Sequence, residues 1–322
     1  MKNKVLATLV DKNHLEYAKA LFASAHFNGG WDGDYLLLAH DIDPPSLSWF
    51  EEKGIKIKHC QPLKDYHKDV PGWKHIFLSK LYLFEEDMKR WNKVIYIDVD
   101  CLIRSSINRL TAVKTIAGVP FYHDRYYRFY KREKIKSQNL FYTGVFSIDT
   151  STIQSDTFIK MLEIAKDLHQ EFPQGVEQMS HEEVVISKYF NYQFEKLPIT
   201  FNTVPLIFHR ALGVPVSSLQ GIIIHFASYY LEDKPWNQSN YFYPDWKSNH
   251  DRADEIDVYN PVKGVKKWTT LEMWRYQIWL KSLFWVRRVG FKVDRLIGNI
   301  GLFIKSVNPR FYFFLKSHLK KF

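Results

Sequence analysis

Two aspartates, Asp98 and Asp100, follow the strongly apolar segment VIYI at residues 94–97 and stand one residue apart. In an extended chain alternate side chains point to the same side, so both carboxylates can reach one hard cation. A divalent ion held in this way can neutralise the charge of a diphosphate. Solvated turn acids are the other interpretation of such a pair, but the apolar residues on both sides favour carboxylates that need a partner.

A second interpretation of YIDVDCLI, residues 96–103, is the nucleophile motif of a phosphatase of the haloacid dehalogenase type. In that class the first aspartate attacks phosphate and the second acts as acid and base. The motif normally opens its domain and is followed by Thr or Val, whereas here Cys101 follows it and a long segment precedes it. The phosphatase stays open as the weaker alternative.

A histidine and a lysine occur together in HFASYYLEDKPW, residues 225–236. His225 follows an apolar run, and Lys234 precedes a Pro-Trp turn. Imidazole is a borderline ligand that suits Mn²⁺ beside carboxylates, and a lysine ammonium can reach a phosphate as a point charge. A lone histidine after a strand is also commonly a core or surface residue, so this segment alone leaves both interpretations open.

The segments around these residues alternate between strand and helix patterns. Strand patterns occur at residues 5–10, 34–40, 55–60, 94–97, 115–121, 139–149 and 221–230. Helical patterns occur at residues 14–25, 44–54, 74–91, 155–172 and 180–190. The alternation predicts an α/β fold with a largely parallel sheet and covering helices. Ligands in such sheets bind at the carboxyl ends of strands, which is where Asp98 and Asp100 lie.

Four blocks of the sequence occur in the order found in glycosyltransferase family 8, the family of glycogenin and the bacterial lipooligosaccharide galactosyltransferases. They are LSKLYLFEEDMKRWNKVIYIDVDCLIRSSINRL, FYTGVFSID, LPITFN and HF…KPW, and the resemblance covers roughly residues 4 to 240. The resemblance implies a single GT-A domain over residues 1–245, with a Rossmann-like nucleotide half and a mainly parallel, mixed central sheet. It also implies retaining transfer of a hexose from a UDP-sugar to a glycan or lipid-linked acceptor, as in bacterial cell-surface polysaccharide or lipopolysaccharide synthesis.

The same resemblance assigns roles to individual residues. Asp98, Asp100 and His225 match the residues that hold Mn²⁺, or Mg²⁺, on the donor diphosphate. Lys80 matches a basic residue that lies against the donor, and Lys234 matches a lysine that contacts phosphate. A metal and a lysine suit a nucleoside diphosphate leaving group, because both stabilise its developing charge. The donor-binding positions implied are Thr8, Leu9, Tyr17, Lys80, Asp98, Val99, Asp100, Tyr142, Thr143, Gly144, Lys234 and Trp236.

One departure from the family pattern is a longer loop between His225 and Lys234, with Ser228 at the family's glycine position, so Lys234 need not reach the same phosphate. Two further departures concern the donor sugar. Tyr142 replaces an asparagine, and HEE at residues 181–183 replaces the family's DQD block, which puts Glu182 at the glutamine near the anomeric carbon. We hypothesise that Glu182 stabilises an oxocarbenium-like transition state or acts as a nucleophile, with Glu183 and Lys80 as further catalytic candidates. Equally, Glu182 and Glu183 are first-turn acids that the helix dipole favours. A non-catalytic sugar-nucleotide or membrane-binding module, in which these changes mark lost activity, is a further alternative.

The net charge of +10 is concentrated at the C-terminus. From Val262 onward, 14 Lys and Arg stand against Glu272 and Asp294, so this part carries +12 and the rest of the chain −2. We expect residues 246–322 to form a basic, aromatic-rich helical extension. On one side of its helical pattern lie Leu271, Trp274, Ile278 and Trp285, and on another lie Lys281 and Arg288.

Broad apolar faces with tryptophan and flanking basic residues are typical of an interfacial helix on an anionic membrane. A helix packed on the body, or in a homodimer interface, is the alternative. Nucleic acid is disfavoured as a partner, because no RNA-binding signature accompanies the charge.

Three features of the sequence bear on the cellular compartment of the protein. Two cysteines, Cys60 and Cys101, make no disulfide framework, which is natural in a reducing compartment. The N-terminus turns polar too early for a secretory signal, and no apolar run approaches the roughly 18 residues that a membrane span needs. The sequence therefore predicts a cytoplasmic protein that is peripheral on the inner face of the cell membrane.

Overall fold

The computed structural model describes residues 2–65, 75–121, 131, 133–172, 181–228 and 230–283. The chain divides into two compact units, Met1–Met273 and Trp274–Phe322. Residues 246–273 therefore belong to the first unit, and the proposed start of a separate extension at residue 246 stays a prediction. In the second unit the described residues, 274–283, are helical.

Four parallel strands form one half of the central sheet. They are β1 (Lys4–Val10), β2 (Asp34–His40), β3 (Lys56–Cys60) and β4 (Lys93–Ile97), and they lie in the order β3-β2-β1-β4. All three pairings between them are parallel. In β1 and β2 every residue after the first is buried, which is the continuous apolar pattern of a parallel strand covered on both faces.

The other half of the sheet is mixed. Its strands are β6 (Ile116–Pro120), β7 (Phe141–Asp149) and β8 (Glu195–Lys196). β7 runs antiparallel to β4 and to β6, and β8 runs parallel to β6. Within the described residues the sheet has seven strands in the order β3-β2-β1-β4-β7-β6-β8. The predicted α/β fold with a mainly parallel, mixed central sheet is therefore confirmed.

A short antiparallel pair lies outside this sheet and contributes directly to the site. It consists of β5 (Cys101–Ile103) and β9 (Ile223–His225). The strand predicted over 221–230 is thus shorter than expected, because its partner β5 offers only three residues for pairing.

Helices cover the sheet as the alternation of patterns predicts. They are α1 (Leu15–Phe27), α2 (Ser48–Glu52), α3 (Thr157–Glu171), α4 (His181–Tyr189), α5 (Pro205–Leu212) and α6 (Tyr243–Asp251). α1 buries Leu21 and Phe22 almost completely, and it packs against α6, which buries Trp246.

The long amphipathic α-helix predicted over 74–91 is wrong. This part of the chain instead forms two 3-10 helices, His75–Phe84 and Glu86–Arg90. A 3-10 helix has three residues per turn, so residues three apart lie in one row. Leu78, Leu81 and Phe84 form such a row and are buried. The tighter winding matters for function, because the same segment carries Lys80.

The helical pattern after residue 268 is confirmed over residues 270–283. Thr269 and Glu272 cap its start reciprocally: the Glu272 amide donates to Thr269 Oγ1 at 3.1 Å, and the Thr269 amide donates to Glu272 Oε2 at 2.7 Å. Leu271, Trp274 and Ile278 are exposed, whereas Trp285 and Arg288 lie outside the described residues. No described helix combines the length and apolar composition that crossing a membrane requires.

Candidate functional site

The two aspartates lie in the turn that joins β4 to β5. The Asp98 amide donates to the Gly144 carbonyl on β7 at 2.8 Å, and the Cys101 amide donates to the Asp98 carbonyl at 3.0 Å. The chain turns here, and β5 leaves the main sheet to pair with β9. In that pairing Cys101 lies opposite His225. A pairing between distant segments therefore brings His225 to the aspartates.

His225 presents a ring nitrogen to both carboxylates. Its Nε2 lies 3.4 Å from Asp100 Oδ1 and 3.7 Å from Asp98 Oδ2. Its Nδ1 lies 2.9 Å from Asn202 Oδ1, which can only accept, so Nδ1 carries the hydrogen. In the neutral ring the Nε2 lone pair then faces two carboxylates, an arrangement that a bound cation makes favourable. Two carboxylates and an imidazole are donors that suit a divalent cation at Asp98, Asp100 and His225. Among the described residues, the ligand atoms that already lie within 4.8 Å of one another belong to Asp100, Cys101 and His225.

Gly144 permits this approach of the histidine ring. A Cβ added at Gly144 would lie 2.0 Å from His225 Cε1 and 2.6 Å from Nδ1. No side chain can occupy that space unless the imidazole moves. The glycine of the FYTGV block is thus required by the position of His225 rather than by its own backbone conformation.

Lys234 contacts the carboxylate oxygen of Asp100 that His225 does not. Its Nζ lies 2.5 Å from Asp100 Oδ2 and donates to the Phe226 carbonyl at 2.9 Å. Burial alone would raise the pKa of Asp100, but the charge of Lys234 and its hydrogen bond act against burial, and this pKa lies below its ordinary value. Asp100 is therefore a carboxylate at neutral pH.

Lys80 lies between two acidic groups beneath the turn. Its Nζ is 3.0 Å from Asp98 Oδ1, 3.3 Å from Glu182 Oε1 and 3.4 Å from the Thr143 carbonyl. The side chain is 4% exposed, so its charge acts with little screening from water. Burial would lower the pKa of Lys80, but Asp98 and Glu182 outweigh burial and raise it. The structure thus brings Lys80 and Glu182 to the aspartate turn.

Glu182 lies in the first helical turn and also contacts the residues around the aspartates, so both interpretations of it stay open. It lies in the first turn of α4 together with Glu183, and its Oε1 also accepts from Thr143 Oγ1 at 3.2 Å. Burial raises the pKa of Glu182, while the charge of Lys80 acts in the opposite direction. Its Oε2 is buried and has no hydrogen-bond partner among the described residues. Glu183 is half-buried.

The predicted uridine-binding residues lie at the same edge of the sheet. β1 pairs with β4 as far as Ala7 and Tyr96, so Thr8 and Leu9 follow in β1 on the side of the sheet where Asp98 follows β4. Both are buried, and the Thr8 hydroxyl lacks a hydrogen-bond partner in the described part of the chain. Their roles remain predictions.

Tyr17 and Trp236 form a parallel stack with centroids 3.8 Å apart and planes at 5°. Lys234 Nζ lies 5.8 Å from the centroid of the Trp236 ring, which connects the stack to Asp100. Val99, between the aspartates, is half-buried. Tyr142 is buried and packs on Phe121 with ring centroids 4.3 Å apart.

Sequence reasoning missed two residues of this site. Asn202 orients His225, and the Tyr96 hydroxyl donates to Asp98 Oδ1 at 2.5 Å. Asn202 is the last residue of the LPITFN block, which the sequence analysis noted without assigning a role to the asparagine. Tyr96 appeared only as an apolar strand residue. Burial raises its pKa and keeps it a phenol that donates to the carboxylate.

Cys101 is a further group near the candidate cation ligands. Burial, together with the charges of Asp100 and Asp98, raises the pKa of its thiol. A neutral thiol is a poor ligand for a hard cation, so Mn²⁺ or Mg²⁺ is better served by the carboxylates and the imidazole.

Known proteins resemble this chain in sequence pattern and in fold. The sequence profile described as glycosyl transferase family 8 matches residues 5–240. The galactosyltransferase LgtC, in complex with donor and acceptor sugar analogs, superimposes with a TM-score of 0.57 at 15% identity, covering 85% of this chain and 99% of LgtC. An active-site mutant of LgtC in which glutamate replaces a glutamine gives 0.59 at 14% identity, covering 76% and 94%.

A third structure is larger than this chain. The bifunctional glycosyltransferase WbbM gives a TM-score of 0.58 at 14% identity, covering 80% of this chain and 51% of WbbM. The chain thus spans about half the length of WbbM. At such identities the likeness to all three structures concerns the fold. No curated protein sequence matches the chain significantly.

Proposed function

Because the chain belongs to glycosyltransferase family 8 and is a glycosyltransferase, we propose that it is a metal-dependent retaining enzyme that transfers a hexose from a UDP-sugar. The observation that carries this proposal is the convergence of Asp98, Asp100 and the His225 Nε2 lone pair. A divalent cation bound there supplies positive charge to the diphosphate that leaves.

The residues around the cation site bind and orient the donor. Lys234 touches Asp100 at 2.5 Å and adds a positive charge beside the ligands, where a diphosphate would lie. The stack of Tyr17 on Trp236 lies next to Lys234. Trp236 covers one face of the Tyr17 ring, so the uracil base stacks on the other face of that ring.

Glu182 acts in this proposal on the sugar that the cation presents. The family pattern has a glutamine here, and an active-site glutamine-to-glutamate mutant of LgtC is among the similar structures. The carboxylate is held by Lys80 and Thr143, and its free oxygen can stabilise an oxocarbenium-like transition state.

Glu182→Gln is therefore expected to lower kcat about 100-fold, the scale of losing one electrostatic contact to a transition state, and to leave UDP affinity in Mn²⁺ unchanged. Glu183→Gln is the comparison within the same helical turn, because it removes the same charge there and tests the other catalytic candidate. Steady-state kinetics would reject a catalytic role if Glu182→Gln kept nearly full activity. Equal losses of kcat in the two variants would instead indicate that both carboxylates act by stabilising the helix through its dipole.

The acceptor in this proposal is a glycan or a lipid-linked sugar at an anionic membrane surface, as in cell-surface polysaccharide or lipopolysaccharide synthesis. LgtC was crystallised with an acceptor sugar analog. Support in this chain comes from the charge of +12 after residue 261 and from Leu271, Trp274 and Ile278, which are 52%, 60% and 45% exposed. Exposed apolar residues beside basic ones suit interfacial binding.

The double substitution Trp274→Ala with Ile278→Ala is expected to reduce binding to anionic vesicles about 10-fold or more, because these exposed side chains would enter the membrane interface and together contribute a few kcal/mol at most. Flotation of the full chain measures this. Ile159→Ala, at an exposed apolar residue of α3, controls for general loss of surface hydrophobicity. If the double variant and the native chain float equally with the vesicles, these residues do not bind the protein to a membrane surface.

Donor hydrolysis tests the function itself. With Mn²⁺ and a panel of UDP-sugars, we expect slow release of UDP from one of them. Turnover of simple phosphate esters, without release of UDP, would instead favour the phosphatase in which Asp98 is the nucleophile. No activity in either assay would favour the non-catalytic sugar-nucleotide or membrane-binding module.

A further inference from the structure

Cys101 adds a thiol to the edge of the proposed cation site. It is the first residue of β5, and its register partner in the antiparallel pair is His225. A carboxylate oxygen of Asp100, the Cys101 sulfur and a ring nitrogen of His225 all lie within 4.8 Å of one another. Cys101 is 1% exposed and His225 is 5% exposed.

We propose that Asp100, Cys101 and His225 form a second cation site, which binds thiophilic divalent ions such as Zn²⁺ or Cd²⁺ and competes with the cation used in transfer. The two sites share Asp100 and His225. They differ in their third ligand, which is Asp98 in one and Cys101 in the other. The competition rests on the proposed function, whereas thiophilic binding itself does not.

The geometry is close to what a tetrahedral ion requires. With metal–ligand distances of about 2.0–2.3 Å, tetrahedral ligand atoms lie roughly 3.6 Å apart. Asp100 Oδ1 and His225 Nε2 are 3.4 Å apart. An oxygen of Asp100, the Cys101 sulfur and a ring nitrogen of His225 lie within 4.8 Å of one another, so shifts of about an ångström would complete the set. Asn202 fixes the tautomer of His225 through Nδ1, as the outer partner of a metal-bound imidazole does.

Asp98 is free to stay out of this second site. Its carboxylate keeps Lys80 at 3.0 Å and the Tyr96 hydroxyl at 2.5 Å. Binding through Cys101 therefore breaks neither contact. A water fills the fourth position of the tetrahedron, since three protein ligands leave one place open.

Ligand type separates the two kinds of cation. Thiolate is a soft ligand that selects zinc-like ions, and affinity for a given set of ligands rises from Mn²⁺ towards Zn²⁺. On binding, the sulfur forms a bond to the ion and the thiol proton passes to solvent. No electron is transferred, so an oxidant is not needed. A hard cation gains little from sulfur and keeps the carboxylate set.

Cadmium titration of the full chain tests this site, because a cadmium–thiolate bond absorbs in the ultraviolet. We expect the absorption to saturate at one ion per chain. Cys101→Ser should remove it and weaken Cd²⁺ binding about 10-fold or more, the scale on which ligand changes act. Cys60→Ser is the matched control, since Cys60 is also a buried free cysteine and should leave the absorption intact.

A second measurement needs no variant. Electron paramagnetic resonance of Mn²⁺ should show release of the bound ion as Cd²⁺ is added to the native chain. Absence of the cadmium band, or a band that Cys60→Ser removes and Cys101→Ser keeps, overturns the proposal. A cadmium band that depends on Cys101, without release of Mn²⁺, would support the thiophilic site. It would contradict the claim that the two cations share Asp100 and His225, and therefore also the proposed Mn²⁺ site.

Discussion

Asp100→Asn is expected to lower kcat/KM about 1,000-fold, at the upper end of what one electrostatic contact contributes to a transition state. Asp100 contacts both other groups of the site that lie next to it, Lys234 at 2.5 Å and His225 at 3.4 Å. The asparagine keeps the shape but removes the charge that a cation needs. The release of UDP from the donor in the presence of Mn²⁺ measures the loss.

Asp149→Asn is the matched control for this change. Asp149 is also an aspartate paired with a lysine, Lys93, but it lies at the opposite end of the same strands. It should retain activity, and thermal unfolding should show that both variants fold. Native-like activity of Asp100→Asn would contradict the cation site.

Gly144→Ala is expected to lower kcat/KM about 100-fold, which is the cost of displacing a catalytic group by about an ångström. The new methyl group would lie 2.0 Å from His225 Cε1, so the ring must turn away from Asp98 and Asp100. The backbone of Gly144 lies in β7 and suits alanine otherwise, because its φ is not positive. Activity and Mn²⁺ affinity should fall together.

Gly213→Ala separates this effect from a general loss of stability. Gly213 ends α5 with φ of 67°, and nothing lies within 4 Å of an added Cβ. Alanine there should cost about 1 kcal/mol of folding free energy through the left-handed backbone alone. It should leave Mn²⁺ affinity unchanged. Unaltered Mn²⁺ affinity in Gly144→Ala would show that His225 is not a ligand.

Local signals in the sequence were sufficient for every described strand of the main sheet except β8, whose two residues are too short for a pattern. Continuous apolar runs predicted the parallel strands, because strands covered on both faces need them. The position of Asp98 and Asp100 at a strand end followed directly. The α-helix predicted over 74–91 was wrong for a physical reason. Apolar residues spaced three apart, such as Leu78, Leu81 and Phe84, fit one face of either a 3-10 helix or an α-helix.

The site was less accessible, since its parts meet through tertiary pairing. Nothing local to His225 predicts that β9 pairs with β5, and the family pattern alone supplied that connection. Asn202 and Tyr96 were missed because each acts through another residue. The buried bridge of Lys80 between Asp98 and Glu182 joins three separate segments, and no spacing along the chain encodes it.

The affinity of UDP with and without Mn²⁺ tests the central claim most directly. Calorimetry of the native chain in Mn²⁺, and again after chelation with EDTA, measures whether the cation and the diphosphate bind together. We predict binding about 10-fold or more tighter in Mn²⁺, since charge on the diphosphate is then matched by the cation at Asp98, Asp100 and His225. Equal affinity under both conditions would contradict the proposed role of these three residues.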